Sequence, residues 1–431
     1  MLKGTLETIL LHLSKGILAR YRPTVIGVTG SVGKSSTRDA IALVLRKNFL
    51  MRASTKSYNN EIGVPLTIIG ARTRGRSVIG WFEVFIKAIR LLIWYSPRYP
   101  WMLVLEMGAD RPGNIAYLTA LAPCSVAVLT NVGTAHLENY GGDQNALFAE
   151  KIKIFESLGE QGWAIANVDD ESITGYLSHL HCRSITYGFS STADVRVLSH
   201  EPTLRFTKGI ATAGVIAKIR FHGAQEEVFL DGVLGKPPLY AVMASIAVAS
   251  IYDISLRDAC VALREYQQPT GRMKILDGIK HTLLIDDTYN ASPLAMREAL
   301  STLGGFAVDK GSRKIAVLGD MLELGGGSEE AHRAMGALCA EGGVDMIIAV
   351  GERAHGYIEG ATAVGFDKKA VLWFDTSTSA HKEVQALMKE GDVLLIKGSQ
   401  GMRMEYIVKE VMAEPERAGE LLCRQSAEWQ H

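Results

Sequence analysis

The 431-residue chain carries 46 basic and 46 acidic residues, so its formal net charge is +0 and no basic field indicates a nucleic-acid partner. With 47% hydrophobic and 21% charged residues it has the composition of an ordinary globular protein, and its length allows two or three domains. Its five cysteines are scattered, without the spacing of a metal or disulfide site. We therefore expect reduced thiols and a cytoplasmic location.

The first residues of the chain resemble a targeting signal only superficially. Glu7, His12 and Lys15 interrupt the hydrophobic run, whereas the leucines and isoleucines around them fall on one helical face. This pattern predicts an amphipathic helix within residues 1–24 that packs on the protein.

A second apolar stretch, residues 78–95, raises the question of membrane contact. Glu83, Lys87 and Arg90 recur in it at three- and four-residue steps and form one polar stripe, and charges centred in a membrane span are costly. We interpret the stretch as a helix lying on the protein. Peripheral contact with a membrane through residues 78–95 is the alternative.

Residues 25–38, VIGVTGSVGKSSTR, carry the strongest chemical signal. A β-branched strand leads into a glycine loop, which is followed by apolar residues at helical spacing. In loops of this kind, backbone N–H groups surround phosphate oxygens, and the positive end of the helix dipole adds to the attraction. Lys34 is expected to reach the terminal phosphates and the Ser35 hydroxyl to ligate Mg²⁺. The strict motif has glycine where Val28 stands, so a plain strand-to-helix turn is the alternative. The predicted phosphate-binding residues are Thr29, Gly30, Ser31, Val32, Gly33, Lys34, Ser35 and Ser36.

Two further strands end in polar residues. The run at residues 101–108 delivers Glu106, and the run at residues 125–133 leads to His136. Ligands of doubly wound sheets bind along the carboxyl edge of the strands, so Glu106 is expected at the phosphate site, whereas His136 fits a buried structural role equally. Lys151 lies on a helical stretch, where a solvated lysine is the usual finding.

The rest of the chain suggests two α/β domains. Short strands over residues 183–233 are typical of a small antiparallel appendage, and proline and glycine cluster at residues 267–278 as at a boundary. Beyond it, four apolar strands alternate with helices, which predicts a separate Rossmann-like domain able to close on the phosphate site. The predicted division is an N-terminal helix (1–24), a parallel-sheet domain with the phosphate loop (25–270) and a C-terminal domain (271–431).

Taken together, these motifs resemble the Mur ligases, in the order seen in that family and from about Val25 to about Glu405. The matching segments are VTGSVGKSST, KSYNNEIGVPLTI, LEMGADRPGNI, LTNVGTAHLENYGG, EKIKIF, GRMKI, IDDTYNASPLAM, VLGDMLELG and KGSQGMRME. They look most like the branch that adds D-alanyl-D-alanine to UDP-N-acetylmuramoyl tripeptide. The resemblance implies a P-loop ATP-binding domain, a C-terminal domain, ATP and Mg²⁺ as cofactors, and ADP-forming amide ligation through an acyl phosphate.

The resemblance also implies roles for individual residues. The positions that match catalytic residues are Lys34, His136, Lys151 and Arg272. Those that match Mg²⁺ ligands are Ser35, Glu106, His136 and Lys151, the last as a carbamylated lysine. Nucleotide contacts are implied for Asp287 and Asn290, and contacts on the substrate side for Asn59, Asn60, Lys397 and Arg403.

Three functions agree with these residues. The first is a peptidoglycan ligase that adds a dipeptide to a muramoyl peptide. The second is a Mur-type ligase for a folate-like, pseudomurein-like or amino-acid polymer substrate, and the third is a nucleotide-binding partner subunit without catalysis. Full-length family members also have an N-terminal domain that binds uridine diphosphate, which the residues ahead of the loop are too few to form. We expect residues 73–100 or a partner to supply those contacts.

Overall fold

The computed structural model describes residues 2–55, 58–75, 77–133, 137–207, 210–425 and 429. The chain separates into two units. The first comprises Met1–Ser199, Ala217–Val228 and Pro238–Tyr266, and the second comprises His200–Ile216, Phe229–Pro237 and Gln267–His431. The last division along the chain thus follows Tyr266. The predicted domain boundary after residue 270 is close to this position and stays a prediction.

A parallel sheet of apolar strands forms the centre of the first unit. Its strands are β1 (Thr24–Thr29), β2 (Met51–Ala53), β3 (Met102–Glu106), β4 (Val126–Leu129), β5 (Trp163–Asn167) and β6 (Arg183–Gly188). Their spatial order is β2-β3-β1-β4-β5-β6, and every neighbouring pair is parallel. Every residue of β3 and β4 is buried, as expected for strands covered on both faces of a sheet. The predicted parallel-sheet domain is therefore confirmed.

Helices pack around this sheet. They are α1 (Leu2–Tyr21), α2 (Lys34–Leu45), α3 (Gly63–Ile69), α4 (Val78–Ile93), α5 (Asn114–Leu121), α6 (Gln144–Glu156), α7 (Glu171–Tyr176), α8 (Pro237–Ser250) and α9 (Leu256–Leu263). Leu10 and Ile17 of α1 join the hydrophobic core together with Val84 and Ala88 of α4, whereas Ile9, expected on the same apolar face, is exposed. Within the described part of the chain, no helix has the length and apolarity needed to cross a membrane.

Three longer strands follow β6 in the chain. They are β7 (Val195–Thr207), β8 (Ile210–Phe221) and β9 (Ala224–Asp231). The prediction of an antiparallel appendage is wrong for β6. This strand pairs in parallel with β5 and, through Tyr187 and Val195, in parallel with β7. The reason lies in its apolar side chains: Tyr187 is fully buried and its hydroxyl donates to the carbonyl of Leu129 in β4, which fixes β6 as a member of the main sheet.

The second unit contains its own sheet. The strands of this unit are β10 (Lys274–Gly278), β11 (Thr282–Asp287), β12 (Ala307–Val308), β13 (Lys314–Gly319), β14 (Met346–Val350), β15 (Val371–Phe374) and β16 (Val393–Lys397), and all of them except β12 belong to this sheet. The order β10-β11-β16-β13-β14-β15 is parallel except for the antiparallel pair β10 and β11, and β12 pairs with Arg205 and Phe206 of β7. Its helices are α10 (Pro293–Gly304), α11 (Ser328–Glu341), α12 (His355–Ala363), α13 (Ser377–Leu387), α14 (Glu405–Val411) and α15 (Ala418–Leu421). This arrangement confirms the predicted Rossmann-like domain.

Candidate active site

The glycine loop between β1 and α2 is shaped by the carboxyl end of β4. Gly30 adopts φ +143°, and a Cβ there would lie 2.0 Å from Oγ1 of Thr130, so only glycine fits. Asn131 accepts two backbone hydrogen bonds from the loop, at its carbonyl from Ser31 N–H (2.9 Å) and at its Oδ1 from Val32 N–H (2.8 Å). The loop is therefore held in one conformation by its neighbouring strand.

Lys34 and Gly33 form the junction between this loop and α2. The Lys34 ammonium turns back over the loop and donates to the carbonyls of Gly30 (2.7 Å) and Ser31 (3.3 Å). Gly33 occupies the N-cap position with φ +85°, and among the described residues no side chain caps the helix there. An uncapped helix N-terminus beside a lysine is the arrangement that binds phosphate.

A buried cluster centred on Glu106 lies beside the loop. The carboxylate is 2% exposed, and its Oε2 accepts hydrogen bonds from the Ser35 hydroxyl (2.8 Å) and from Nη1 of Arg38 (2.9 Å). The amide of Asn59 approaches Oε1 at 3.4 Å. The predicted pairing of Ser35 with Glu106 at one sheet edge is thus present in the structure. Sequence reasoning missed Arg38, although an arginine one helical turn after Ser35 shares its face of α2.

The donor atoms of this cluster fit Mg²⁺. Octahedral Mg²⁺ has bonds of about 2.1 Å, which places adjacent ligand oxygens about 3 Å apart. Ser35 Oγ and Glu106 Oε2 are 2.8 Å apart, and both are oxygen donors of the kind that Mg²⁺ prefers. His136, the third predicted ligand, lies outside the described residues. Among the described residues no group of three or more histidine, cysteine, aspartate or glutamate side chains could hold a metal.

Lys151 on α6 is buried rather than solvated, being only 1% exposed. Burial and, to a smaller extent, the positive charge of Lys34 lower the pKa of its ammonium to about 7, although Asp110 and Glu150 act in the opposite direction. The lysine therefore carries a substantial fraction of neutral amine near pH 7. A neutral, buried amine is a nucleophile, which a solvated lysine is not.

Glu150, next to Lys151, fixes the position of α6. Its carboxylate accepts the backbone N–H groups of Gly113 (3.0 Å) and Ile115 (2.8 Å) at the start of α5 and the ammonium of Lys153 (2.7 Å). These hydrogen bonds to the charged form hold the pKa of Glu150 below its usual value although burial opposes them. The resemblance gave no role to Glu150, and nothing in its sequence context distinguished it from a surface acid.

The two predicted asparagines have different surroundings. The main-chain carbonyl of Asn59 accepts from Gly108 N–H (2.7 Å), which brings residue 59 against the end of β3. The side chain of Asn60 instead accepts from the backbone N–H groups of Ile62 (3.2 Å) and Gly63 (2.9 Å) at the start of α3. Asn60 therefore shapes the turn that presents Asn59.

In the second unit, predicted residues meet at the carboxyl ends of β11 and β16. Asp287 and Lys397 are register partners, and the buried Lys397 ammonium donates to Oδ2 of Asp287 (2.6 Å) and to the carbonyl of Asn290 (2.9 Å). The guanidinium of Arg272 lies over the ring of Tyr289, 4.1 Å from its centroid. The structure thus brings Lys397, predicted on the substrate side, together with Asp287 and Asn290, which were predicted to contact the nucleotide; these roles stay predictions.

Arg403, predicted on the substrate side, takes part in a network of ion pairs. Its Nε donates to Oε1 of Glu405 (2.6 Å), and its guanidinium lies over the ring of Tyr406. Arg424 binds both oxygens of the same carboxylate and donates to the carbonyl of Tyr289 (2.9 Å). This network holds the loop that follows β11. The family motifs end at about Glu405, which is why Arg424 escaped sequence reasoning.

We predict that Arg38→Met lowers the free energy of unfolding by about 3–5 kcal/mol, because it leaves the Glu106 carboxylate buried without its cation. The double variant Arg38→Met with Glu106→Gln should recover most of that loss. Urea denaturation measures both quantities.

The matched control is Arg46→Met, which breaks an exposed ion pair with Glu265 in the same unit. Its cost should be several-fold smaller than that of Arg38→Met, since solvent screens such pairs. An Arg38→Met variant no less stable than the Arg46→Met control would contradict the assigned role of the buried pair.

Comparison with known proteins agrees with this geometry. The Mur ligase middle domain model matches residues 99–249, and the model of the Mur ligase, glutamate ligase domain, matches residues 271–400. The UDP-N-acetylmuramoyl-tripeptide–D-alanyl-D-alanine ligase of Bacillus subtilis is 30% identical over 415 residues, 95% of this chain and 80% of that protein. The ligase of the same name from Escherichia coli is 28% identical over 395 residues, 89% of this chain and 76% of that protein.

A solved structure shows the same fold across both units. The MurF ligase of Thermotoga maritima, determined in complex with ADP, has a TM-score of 0.76 and 26% sequence identity, and the match covers 95% of this chain and 84% of that one. The family models, the relatives and this structure agree with the resemblance drawn from the motifs. This chain belongs to the Mur ligase family.

Proposed function

We propose that this Mur ligase joins D-alanyl-D-alanine to a UDP-N-acetylmuramoyl tripeptide, with ATP converted to ADP and phosphate. The Bacillus subtilis relative is named for this pair of substrates. The observation that carries the chemistry is the buried cluster of Ser35, Arg38 and Glu106 beside the phosphate loop. The prediction of a ligase of this family is confirmed, and the relatives do not favour a folate-like or pseudomurein-like substrate or a silent subunit.

The phosphate loop, Thr29 to Ser36, is assigned to the phosphates of ATP. A carboxylate oxygen of the tripeptide attacks the γ-phosphorus, the bond to the ADP oxygen breaks, and an acyl phosphate forms. Lys34, held over the loop by two carbonyls, stabilises the negative charge that develops during this transfer. The amine of the dipeptide then attacks the acyl carbon, and phosphate leaves with its bonding electron pair.

Mg²⁺ is assigned to Ser35 and Glu106, with His136 and a carbamylated Lys151 as further ligands. When bound, the ion supplies positive charge that offsets the charge of the phosphate oxygens. Arg38 acts as a positioning residue, because it fixes the Glu106 carboxylate through a 2.9 Å ion pair. The buried pair holds that carboxylate with Oε2 at the Ser35 hydroxyl.

The other predicted site residues are assigned roles that agree with their hydrogen bonds and ion pairs. Asn59 is assigned to the tripeptide because it lies against Glu106, while Asn60 shapes the turn beside it. In the second unit, Asp287, Asn290 and Arg272 are assigned to the nucleotide and its phosphates. Lys397 and Arg403 are assigned to the substrate side. Their ion pairs, with Asp287 and Glu405, hold the neighbouring loops that would contact the substrate.

The cysteines support a cytoplasmic location. All five are free thiols, and four of them are buried. Burial raises the pKa of the Cys124 thiol to about 12, so it is unreactive at neutral pH. Reduced, inert thiols are typical of a reducing compartment.

We predict that ADP release requires Mg²⁺, ATP, UDP-N-acetylmuramoyl tripeptide and D-alanyl-D-alanine together. The measurement is a coupled assay in which each component is omitted in turn, with the Lys34→Ala variant as the control for phosphate chemistry. Glu106→Gln should lose at least about a hundredfold in rate, because both a Mg²⁺ ligand and the partner of Arg38 change. Steady ADP release without the muramoyl peptide would contradict the proposed substrate.

We further predict that carbon dioxide carbamylates Lys151 and that activity depends on bicarbonate. With a pKa of about 7, about half of the lysine is neutral amine at pH 7, whereas an ordinary lysine with a pKa of 10.5 leaves less than about one part in a thousand. The neutral amine attacks carbon dioxide, and the carbamate forms with loss of a proton. The product replaces a buried cation by an anion that can ligate Mg²⁺.

The pH dependence follows from the number of protons released. Above pH 7 the lysine is mostly neutral, and forming the carbamate releases one proton. Below pH 7 the ammonium must also lose a proton, so two protons are released and activation by bicarbonate should weaken more steeply on the acid side. Carbon-13 bicarbonate should give a carbamate signal in the wild type that Lys151→Ala lacks. Lys47→Ala, at an exposed lysine of the same unit, is the control and should retain it. Full activity of Lys151→Ala would contradict the prediction.

A further inference from the structure

Exposed apolar side chains are concentrated in one part of the first unit. Of the fifteen large hydrophobic residues exposed in the described part of the chain, eight lie between residues 79 and 101. The others are distributed through the rest of the described chain, as is normal for a protein surface. We define the apolar ridge as Ile79, Phe82, Ile86, Ile89, Ile93, Trp94, Tyr95 and Trp101. Such a concentration of exposed apolar side chains marks a place of interaction.

The helix α4 has three distinct faces. Val84 and Ala88 lie in the hydrophobic core, and this buried face needs no further partner. The five isoleucine and phenylalanine side chains of the ridge on α4 fall within about 80° of arc at 100° per residue, and Phe82 is 63% exposed. Glu83, Lys87 and Arg90 fall in the adjoining sector. A helix with an apolar face, a charged face and a buried face can lie in a membrane interface.

The aromatic end of the ridge is presented by an ordered loop. The Tyr21 hydroxyl accepts from Ser96 N–H (3.0 Å) and lies within hydrogen-bond distance of the carbonyls of Leu91 (3.1 Å) and Trp94 (3.2 Å). The ring of Tyr95 stacks on Tyr21 at 5.4 Å and yet remains 68% exposed. Tryptophan and tyrosine side chains are enriched at the level of lipid headgroups, where one end of the ring is apolar and the other is wet.

Charge around the ridge is strongly one-sided. Residues 70–101 contain six basic side chains and one acidic one, a net charge of +5, whereas the whole chain has a net charge of +0. The single acid, Glu83, is paired with Arg74 at 2.8 Å. A surface that combines exposed aromatic and aliphatic groups with excess positive charge complements a layer of anionic headgroups over hydrocarbon.

We propose that the apolar ridge binds the surface of an anionic lipid bilayer and holds the enzyme there. The ridge side chains enter the interface, and Arg90 and Arg98 face lipid phosphates. A second copy of the chain suits this surface less, because a symmetric pairing would bring two patches of positive charge together. This inference does not depend on the ligase activity, since it rests on the surface of α4 and its following loop.

Flotation of the purified full-length protein with lipid vesicles tests the proposal. The wild type should float with vesicles of phosphatidylcholine and phosphatidylglycerol, less with phosphatidylcholine alone, and less at high salt. The double variant Ile79→Glu with Phe82→Glu should bind the mixed vesicles at least about tenfold more weakly. Arg90→Glu with Arg98→Glu should lose the preference for phosphatidylglycerol.

A matched control places the same charge elsewhere. Val261 and Leu294 are similarly exposed apolar residues on α9 and α10, and Val261→Glu with Leu294→Glu should bind vesicles as the wild type does. Equal thermal unfolding would show that each variant is folded. Wild-type protein that stays unbound would overturn the proposal, as would a dimer that Phe82→Glu dissociates without any vesicle binding.

Discussion

The buried ion pair between Arg38 and Glu106 determines how the candidate active site is built. Removing two opposite charges from water is costly, so the pair persists only with additional hydrogen bonds, which Ser35 and Asn59 supply. The pair joins the end of β3 to the first turns of α2, immediately after the phosphate loop. The glycine loop, the Ser35 and Glu106 oxygens proposed to ligate Mg²⁺, and Asn59 are thereby fixed with respect to one another.

The same electrostatic setting explains why a buried lysine is useful here. Lys151 lies where burial and the charge of Lys34 both disfavour its ammonium form, so its pKa falls to about 7. A carbamate at this position would remove the repulsion between two cations and add an anion where Mg²⁺ is assigned. Glu150, which anchors α6 to the start of α5, keeps the lysine at this position.

Much of the fold and part of the site could be predicted from the sequence. Apolar periodicity predicted β1 and the glycine loop that follows it, and it put Glu106 at the end of another apolar strand, whereas Asp287 and Lys397 were singled out by their motifs alone. Arg38, Glu150 and Arg424 escaped prediction because their roles depend on partners distant in sequence, which periodicity does not reveal. The burial of Lys151 and the parallel pairing of β6 escaped for the same reason, since tertiary packing rather than local pattern decides them. The charge and hydrophobicity of α4 were visible, but only the structure separated its buried face from its exposed one.

The proposed mechanism requires that a carboxylate of the muramoyl tripeptide is activated as an acyl phosphate at this site. Tripeptide labelled with oxygen-18 at both oxygens of the reacting carboxylate tests this step directly. The phosphate released during ligation to D-alanyl-D-alanine is analysed by mass spectrometry. If the acyl phosphate forms, one labelled oxygen appears in inorganic phosphate and the other in the new amide. Unlabelled phosphate, released while the amide forms, would contradict it.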